Sequence, residues 1–531
     1  MKKKQVPSAG SELSLALRRF LYLSAALTGA AIMVIEILGA KMLAPYFGTS
    51  HFVWTAQIAV TLVALAAGYY VGGRLADQSP DLARLYGFLL VAAIYLCVSV
   101  LLIRTVAAWC LHYQLAVGSL LASCFLFFVP LALLAMVGPF FVRVLTSSVE
   151  SVGVNIGRLT AVSTLGSFLG TVLIGYVLIP YLPNSITMYL TAAVLFALVA
   201  AYFTRWGFDR VTTTAMSIGI LLGLVLCYGG YVQESKPDFA KIEELYRANS
   251  NFGLLQVVQF RRIGAGETPG PLNRYYLNDY LVQNTFDPDA GKSVSTFTYM
   301  LHLLAQTYTP AIHDVLCIGL GVGIAPMQFA NDGNEVDVVE INRAVVKVAS
   351  NYFNCDPSKL HITIGDGRQY LNACRKDYDT IVLDAFLGDS SPIHLMSREA
   401  FTEMKRVLKP NGTLVINSFG DFSPGKDFYT ASLDKTLRSV FRSVVIHTSG
   451  NGNVFFVASD QAELKMLRSP DVGGVHPSSL GSVREAFAGM PKTDPNHGIV
   501  LTDDYNPVEF RDAANREATR KNLVAFLQSL Q

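Results

Sequence analysis

The chain has 531 residues, 51% of them apolar and only 15% charged, with a net charge of +2 and a mean hydropathy of +0.37. Soluble domains carry about 25% charged residues, so this is not a wholly soluble chain. Residues 1–235 hold 13 Lys/Arg against 7 Asp/Glu, leaving the remainder at −4, and an acidic second half argues against a nucleic-acid partner.

Apolar runs of roughly 20 residues, enough to cross a bilayer, occur near 20–43, 53–73, 85–103, 115–142, 161–180, 185–204 and 211–232. Residues 1–235 are therefore expected to form a transmembrane helical domain of seven spans. The segment Thr105 to Val117, with Trp109, His112 and Tyr113, is read as an interfacial helix or as part of an eighth. Glu36 falls inside the first run, where an unpaired carboxylate is costly and marks a functional or a helix-pairing position. Gly166 and Gly170 form a GxxxG pattern that allows close helix contact. Basic residues before the first run, and after the second, fourth and sixth, put those loops in the cytoplasm by the positive-inside rule. Seven spans would then leave the second half outside. The chemistry below favours the cytoplasm instead, at a cell inner membrane.

The seven cysteines have no CxxC spacing, so neither a disulfide framework nor a zinc site is expected, and no metal is assigned. Residues 236–292 read as a linker and a small β region, with hairpin strands near 254–260 and 274–278. From 293 the pattern alternates. A helix at 293–308, strand 314–318, helix 323–331, strand 335–339, helix 342–353, strand 361–364, helix 367–374 and strand 379–383 come in turn. Helix 397–407, strand 412–418, helix 425–440 and a hairpin near 443–458 complete it. Such alternation predicts a Rossmann-like α/β domain over 293–531 with a parallel sheet.

Chemistry-bearing residues fall at the carboxyl ends of those strands, where such sheets bind ligands. Gly319, Gly321 and Gly323 end the first and let backbone approach a nucleoside. Glu340 ends the second and can accept from both ribose hydroxyls. Gly365-Asp366-Gly367 ends the third, where the aspartate can accept from an adenine amino group, and Asp384 ends the fourth. No P-loop Lys-Ser/Thr follows the glycines, which argues against a triphosphate.

These motifs, with Leu277-Asn278-Asp279-Tyr280-Leu281-Val282-Gln283 before them, resemble the polyamine aminopropyltransferases, the spermidine synthase family. The whole chain, including Leu501-Thr502-Asp503-Asp504-Tyr505, resembles membrane-fused spermidine synthase-like proteins of bacteria. The resemblance implies a cosubstrate, decarboxylated S-adenosylmethionine or S-adenosylmethionine, held by Gly319, Gly321, Gly323, Glu340, Asp366, Gly367 and Gln283. Asp384 would be the base that deprotonates a small-molecule amine, with methylthioadenosine released. Asp389, Tyr299, His302 and Tyr505 are candidate acceptor contacts, and a homodimer is allowed. The family's second acceptor aspartate is replaced by Leu387, a tyrosine and a glutamate by Thr296 and Thr298, and the aspartate after the ribose acid by Asn342. Recognition of a diamine at both ends is therefore not expected from the family pattern. Methyl transfer from S-adenosylmethionine to a membrane-delivered acceptor, and a non-catalytic polyamine or nucleoside sensor or transporter-coupled domain, are the two alternatives.

Overall fold

The computed structural model describes residues 13–146, 152–207, 210–234, 242–263, 269–386, 392–448, 452–494 and 496–511, with 513, 515 and 517. Two compact units result, Met1–Asp238 and Phe239–Gln531.

The first unit is helical: α1 (Leu15–Phe47), α2 (His51–Gln78), α3 (Leu82–Cys110), α4 (Leu115–Ala135), α5 (Val137–Leu145), α6 (Val152–Leu173), α7 (Ile179–Tyr181), α8 (Asn184–Arg205) and α9 (Arg210–Glu234). Helices α4 and α5 follow each other across Met136, and one π-turn, Ile174–Leu178, joins α6 to α7 ahead of Pro180. Among the described residues, six of the resulting helical stretches are long and apolar enough to cross a membrane, which suggests a membrane-spanning region. The seventh apolar run falls on α9, whose described apolar stretch is Met216–Val232. Thr105 to Cys110 continue α3, and a short turn leads into α4, so this segment forms no separate helix.

Small residues set the packing. A Cβ on Gly166 would strike the Ala26 backbone and one on Gly170 the Ala30 backbone, while Ser167 Oγ donates to the Gly29 carbonyl at 3.1 Å. Residue i of α1 thus meets residue i+140 of α6, and the two helices run parallel. In the same way Gly219 lies against Leu90 and Gly230 against Leu101, so α9 runs parallel to α3. Backbones approach this closely only where no side chain intervenes.

The second unit begins with an antiparallel meander, β1 (Glu243–Ser250), β2 (Gly253–Ile263), β3 (Pro269–Asn278), β4 (Leu281–Asp287) and β5 (Lys292–Ser293), in that order. The sequence predicts two hairpin strands here; the described residues form five. Asp279 and Tyr280 turn β3 into β4 with φ of 49° and 63°, and Asp279 is held there because its carboxylate accepts from Leu254 N–H at 2.9 Å.

The α/β part follows as α10 (Thr296–Tyr308), β6 (Asp314–Ile318), α11 (Ile324–Asn331), β7 (Glu335–Glu340), α12 (Arg343–Tyr352), β8 (His361–Ile364), α13 (Gly367–Ala373), β9 (Tyr378–Leu383), α14 (Arg398–Arg406), β10 (Leu408–Phe419), α15 (Phe428–Arg438), β11 (Ser443–Thr448), β12 (Asn453–Ser459), α16 (Leu480–Ala488) and α17 (Val508–Arg511). The sheet order is β11-β12-β10-β9-β6-β7-β8, parallel from β10 to β8, with β12 antiparallel to both β10 and β11.

Alternation along each strand divides its apolar residues between two cores. Val315 and Cys317 of β6 join the core that also takes Leu255, Val257, Tyr276 and Phe286 of the meander. Leu316 and Ile318 join the core on the opposite face, with Leu383, Ile416 and Phe401. The meander is thereby fixed to one face of the sheet. Strand β6 lies between β7 and β9, so the connections leave it in opposite directions and open a crevice at its carboxyl end.

Candidate active site

A cavity of about 410 Å³ occupies that crevice, bounded by the ends of β6, β7, β9 and β10 and by the meander. Its floor depends on glycine. Gly319 leaves β6 with φ of 99°, and a Cβ there would overlap the carbonyl oxygen of Asp384. Gly323 has φ of 82° and starts α11, packed against the Cys355 side chain. Gly367 faces Ile318 too closely for any side chain. Backbone after β6 and β8 therefore comes within reach of a ligand.

Glu340 is buried at the end of β7. Its Oε2 accepts from Leu320 N–H at 3.0 Å and its Oε1 from Asn342 N–H at 2.7 Å. The carboxylate ties the glycine turn to the turn after β7, and each oxygen keeps a second lone pair for a ligand hydroxyl. Burial pushes its pKa up, opposed by the backbone N–H groups of Leu320, Asn342 and Ile341.

Asp366 caps α13, with Oδ1 accepting from Gln369 N–H at 3.0 Å, and Oδ2 is bonded to His394 Nε2 at 2.9 Å. Burial raises its pKa, yet these bonds and that from Arg368 N–H outweigh it, so the carboxyl sits below its ordinary value. His394, a lone histidine in sequence, lines the cavity beside it.

Asp384 follows β9, its N–H donating to the Ile318 carbonyl at 2.9 Å. Its Oδ1 accepts from Asn417 Nδ2 at 2.9 Å, and Asn453 Nδ2 in turn donates to Asn417 Oδ1 at 2.9 Å. Burial lifts its pKa to about 6 against the lowering effect of Asn417. A carboxylate titrating near 6 is ionised at neutral pH and still basic enough to accept a proton in a reaction.

On the meander wall, Gln283, Asn278 and Asn284 face the cavity. Among the described residues, Asn278 Oδ1 and Asn284 Nδ2 are both buried without a protein partner, one acceptor and one donor open to a ligand. Phe386 and Phe419 close the outer edge with ring centroids 5.1 Å apart.

The structure thus gathers Gly319, Gly321, Glu340, Asp366, Gly367, Asp384 and Gln283 around one cavity, with Gly323 shaping the turn behind it. Three expected acceptor contacts do not line it. Tyr299 is turned into the core, its Oη donating to the Ser293 carbonyl at 2.6 Å. His302 is paired with Asp332 at 2.7 Å and set edge-on against Phe329. Tyr505 is 58% exposed in a turn closed by its own backbone bonds to Thr502. The neighbouring Asp503 instead accepts from Ser397 Oγ and from Arg368 Nη2 (3.0 Å), pinning the chain after His394. Asp389 and Leu387 lie outside the described residues.

Asn417 and Asn453 escaped the sequence reading. The signal was there: Asn417 is a polar residue at the carboxyl end of the apolar run Leu414-Val415-Ile416, the same position that marks Glu340 and Asp384. Thr296 and Thr298, noted as departures, do line the cavity.

Residues 296–463 match the spermine/spermidine synthase domain. The polyamine aminopropyltransferase of Vibrio vulnificus is 34% identical over 228 residues, covering 40% of this chain and 74% of that protein. An N-terminal histidine N-methyltransferase of Emericella nidulans is 34% identical over 134 residues, 24% of this chain and 23% of that protein. Among solved structures, a probable spermidine synthase from Corynebacterium glutamicum is 16% identical, covering 48% of this chain and 88% of that one at a TM-score of 0.34.

Proposed function

The chain belongs to the polyamine aminopropyltransferase family, a family of transferases, and we propose that it moves an aminopropyl group from decarboxylated S-adenosylmethionine or a related sulfonium nucleoside to a polyamine-type amine. The amine nitrogen attacks the propyl carbon next to the sulfonium, the carbon–sulfur bond breaks, and its electron pair stays on sulfur as methylthioadenosine leaves. Asp384 takes the proton that the amine must lose. The sulfonium is already an activated leaving group, so orientation and one base are most of what the protein must supply. Glu340 would hold the ribose and Asp366 the adenine.

The observation that carries this proposal is the charge of the cavity. Its described lining includes three carboxylates, Glu340, Asp366 and Asp384, and one histidine, but neither lysine nor arginine. A decarboxylated donor brings only positive charge into that field. S-Adenosylmethionine would add a carboxylate with no cationic side chain to receive it, at a considerable desolvation cost. Incubation with each sulfonium donor, with and without diamines, followed by mass spectrometry of the nucleosides, should give methylthioadenosine from the decarboxylated donor only in the presence of an amine. S-Adenosylhomocysteine as the sole product would replace aminopropyl by methyl transfer. Nucleoside binding without any product would leave a sensor.

We place the helical unit in the cell inner membrane and the α/β unit in the cytoplasm, where sulfonium nucleosides are made. With seven crossings, the residues before α1 are then outside, against the distribution of loop charge. A green fluorescent protein fused to the C-terminus should fluoresce, and alkaline phosphatase fused there should be inactive; an active phosphatase reverses the orientation.

A further inference from the structure

A second cavity, of about 510 Å³, opens between the starts of α1 and α6, and Arg18, Arg19, Arg158 and Tyr22 line it. The parallel seam explains how they meet. Ala26 faces Gly166 and Ala30 faces Gly170, so two turns earlier along the same stripe Arg18 faces Arg158. Arg19 adds a third guanidinium beside them. Among the described residues, no carboxylate lies within ion-pairing distance of any of the three, and the Tyr22 hydroxyl is buried without a partner. Three guanidinium groups on one cavity concentrate positive charge there, with Arg19 and Arg158 open to solvent.

We propose that this cavity binds a phosphate oxyanion, and specifically the phosphodiester of an anionic phospholipid. Guanidinium groups pair with phosphate oxygens through two parallel N–H bonds, and the Tyr22 hydroxyl can donate a further one. The depth is right for a headgroup. Helix α1 has 33 residues, and at 1.5 Å each it spans ~50 Å against a hydrocarbon core of ~30 Å, so its first turns stand at the interface. Below the cavity α6 presents Leu165, Phe168 and Leu169, each more than 60% exposed, as a flank for acyl chains. A free phosphate would use the arginines but not that flank.

The test uses the full-length protein purified in a neutral detergent. Phosphatidylglycerol should raise its melting temperature by on the order of 5 °C and remain bound in native mass spectra, whereas phosphatidylcholine should do neither. The double variant Arg18→Gln/Arg158→Gln should weaken that binding at least about tenfold, one guanidinium–phosphate pair being worth on that order. Arg84→Gln, which does not line the cavity, should leave it intact. Millimolar inorganic phosphate with the same dependence on Arg18 and Arg158 would uphold the oxyanion site and reassign its source to free phosphate. No difference between the two lipids on the wild-type protein, or a phosphatidylglycerol effect unchanged in the double variant, would overturn it.

Discussion

Asp384→Asn should lower kcat/KM by about 10²–10⁴-fold, the usual worth of a positioned general base. Nucleoside affinity should change by no more than about threefold, because the amide keeps the shape of the carboxylate and can still present an oxygen to Asn417. The pH dependence carries a sign. Only the ionised carboxylate accepts a proton, and burial holds its pKa at about 6, so activity should be complete above that value and fall as pH drops through it. Asn417→Leu removes the donor that lowers this pKa, and the acid limb of the kcat/KM profile should move to higher pH. Turnover undiminished in Asp384→Asn would remove the residue from the chemistry.

Gly319→Ala should be nearly as damaging, although it adds a single methyl group. Its φ of 99° costs an L-residue roughly 1–2 kcal/mol, and the new Cβ overlaps the Asp384 carbonyl oxygen, which is backbone and cannot rotate aside. The turn and the base must both shift. A loss of at least tenfold in nucleoside affinity, and a larger one in kcat/KM, corresponds to about 2–3 kcal/mol in all. Gly321→Ala is the comparison. Gly321 has φ of 54°, in the left-handed region an alanine can enter, and nothing lies within 4 Å of its would-be Cβ. Calorimetric titration of a nucleoside product into both variants separates the cases; equal affinities would mean that the close approach at Gly319 is not what shapes the site.

The glycines and carboxylates of the cavity were legible because their logic is local. A strand that must be buried on both faces is a short apolar run, and the first polar residue after it sits at the sheet's carboxyl edge. Glu340 and Asp384 obey that rule, whereas Asp366 follows the exposed edge strand β8 and was marked by the glycines on either side of it. Asn417 obeys the rule as well but was passed over because an amide does not by itself suggest chemistry. Tyr299 and His302 were placed away from the cavity for a different reason. Tyr299 and His302 lie on α10, which is buried nearly all round, so helical periodicity could not say which of its faces meets the cavity and which meets α11. The meander was half seen because β1, β4 and β5 mix polar and apolar residues without a clean period of two.

Sequence alone therefore determined the two-part composition, the order of helices and strands in the α/β half, and three carboxylates on successive strands. Each follows from a periodicity or an end-of-strand position that holds whatever the neighbouring segments do. The tertiary structure decided what depends on residues far apart in the chain. It brought Asn417 and Asn453 behind Asp384, set His394 on Asp366, turned Tyr299 and His302 away, and aligned Arg18 with Arg158 along a seam of small residues. Those pairings are set by which surfaces can be buried together, and packing couples residues separated by up to 140 positions that no local pattern connects.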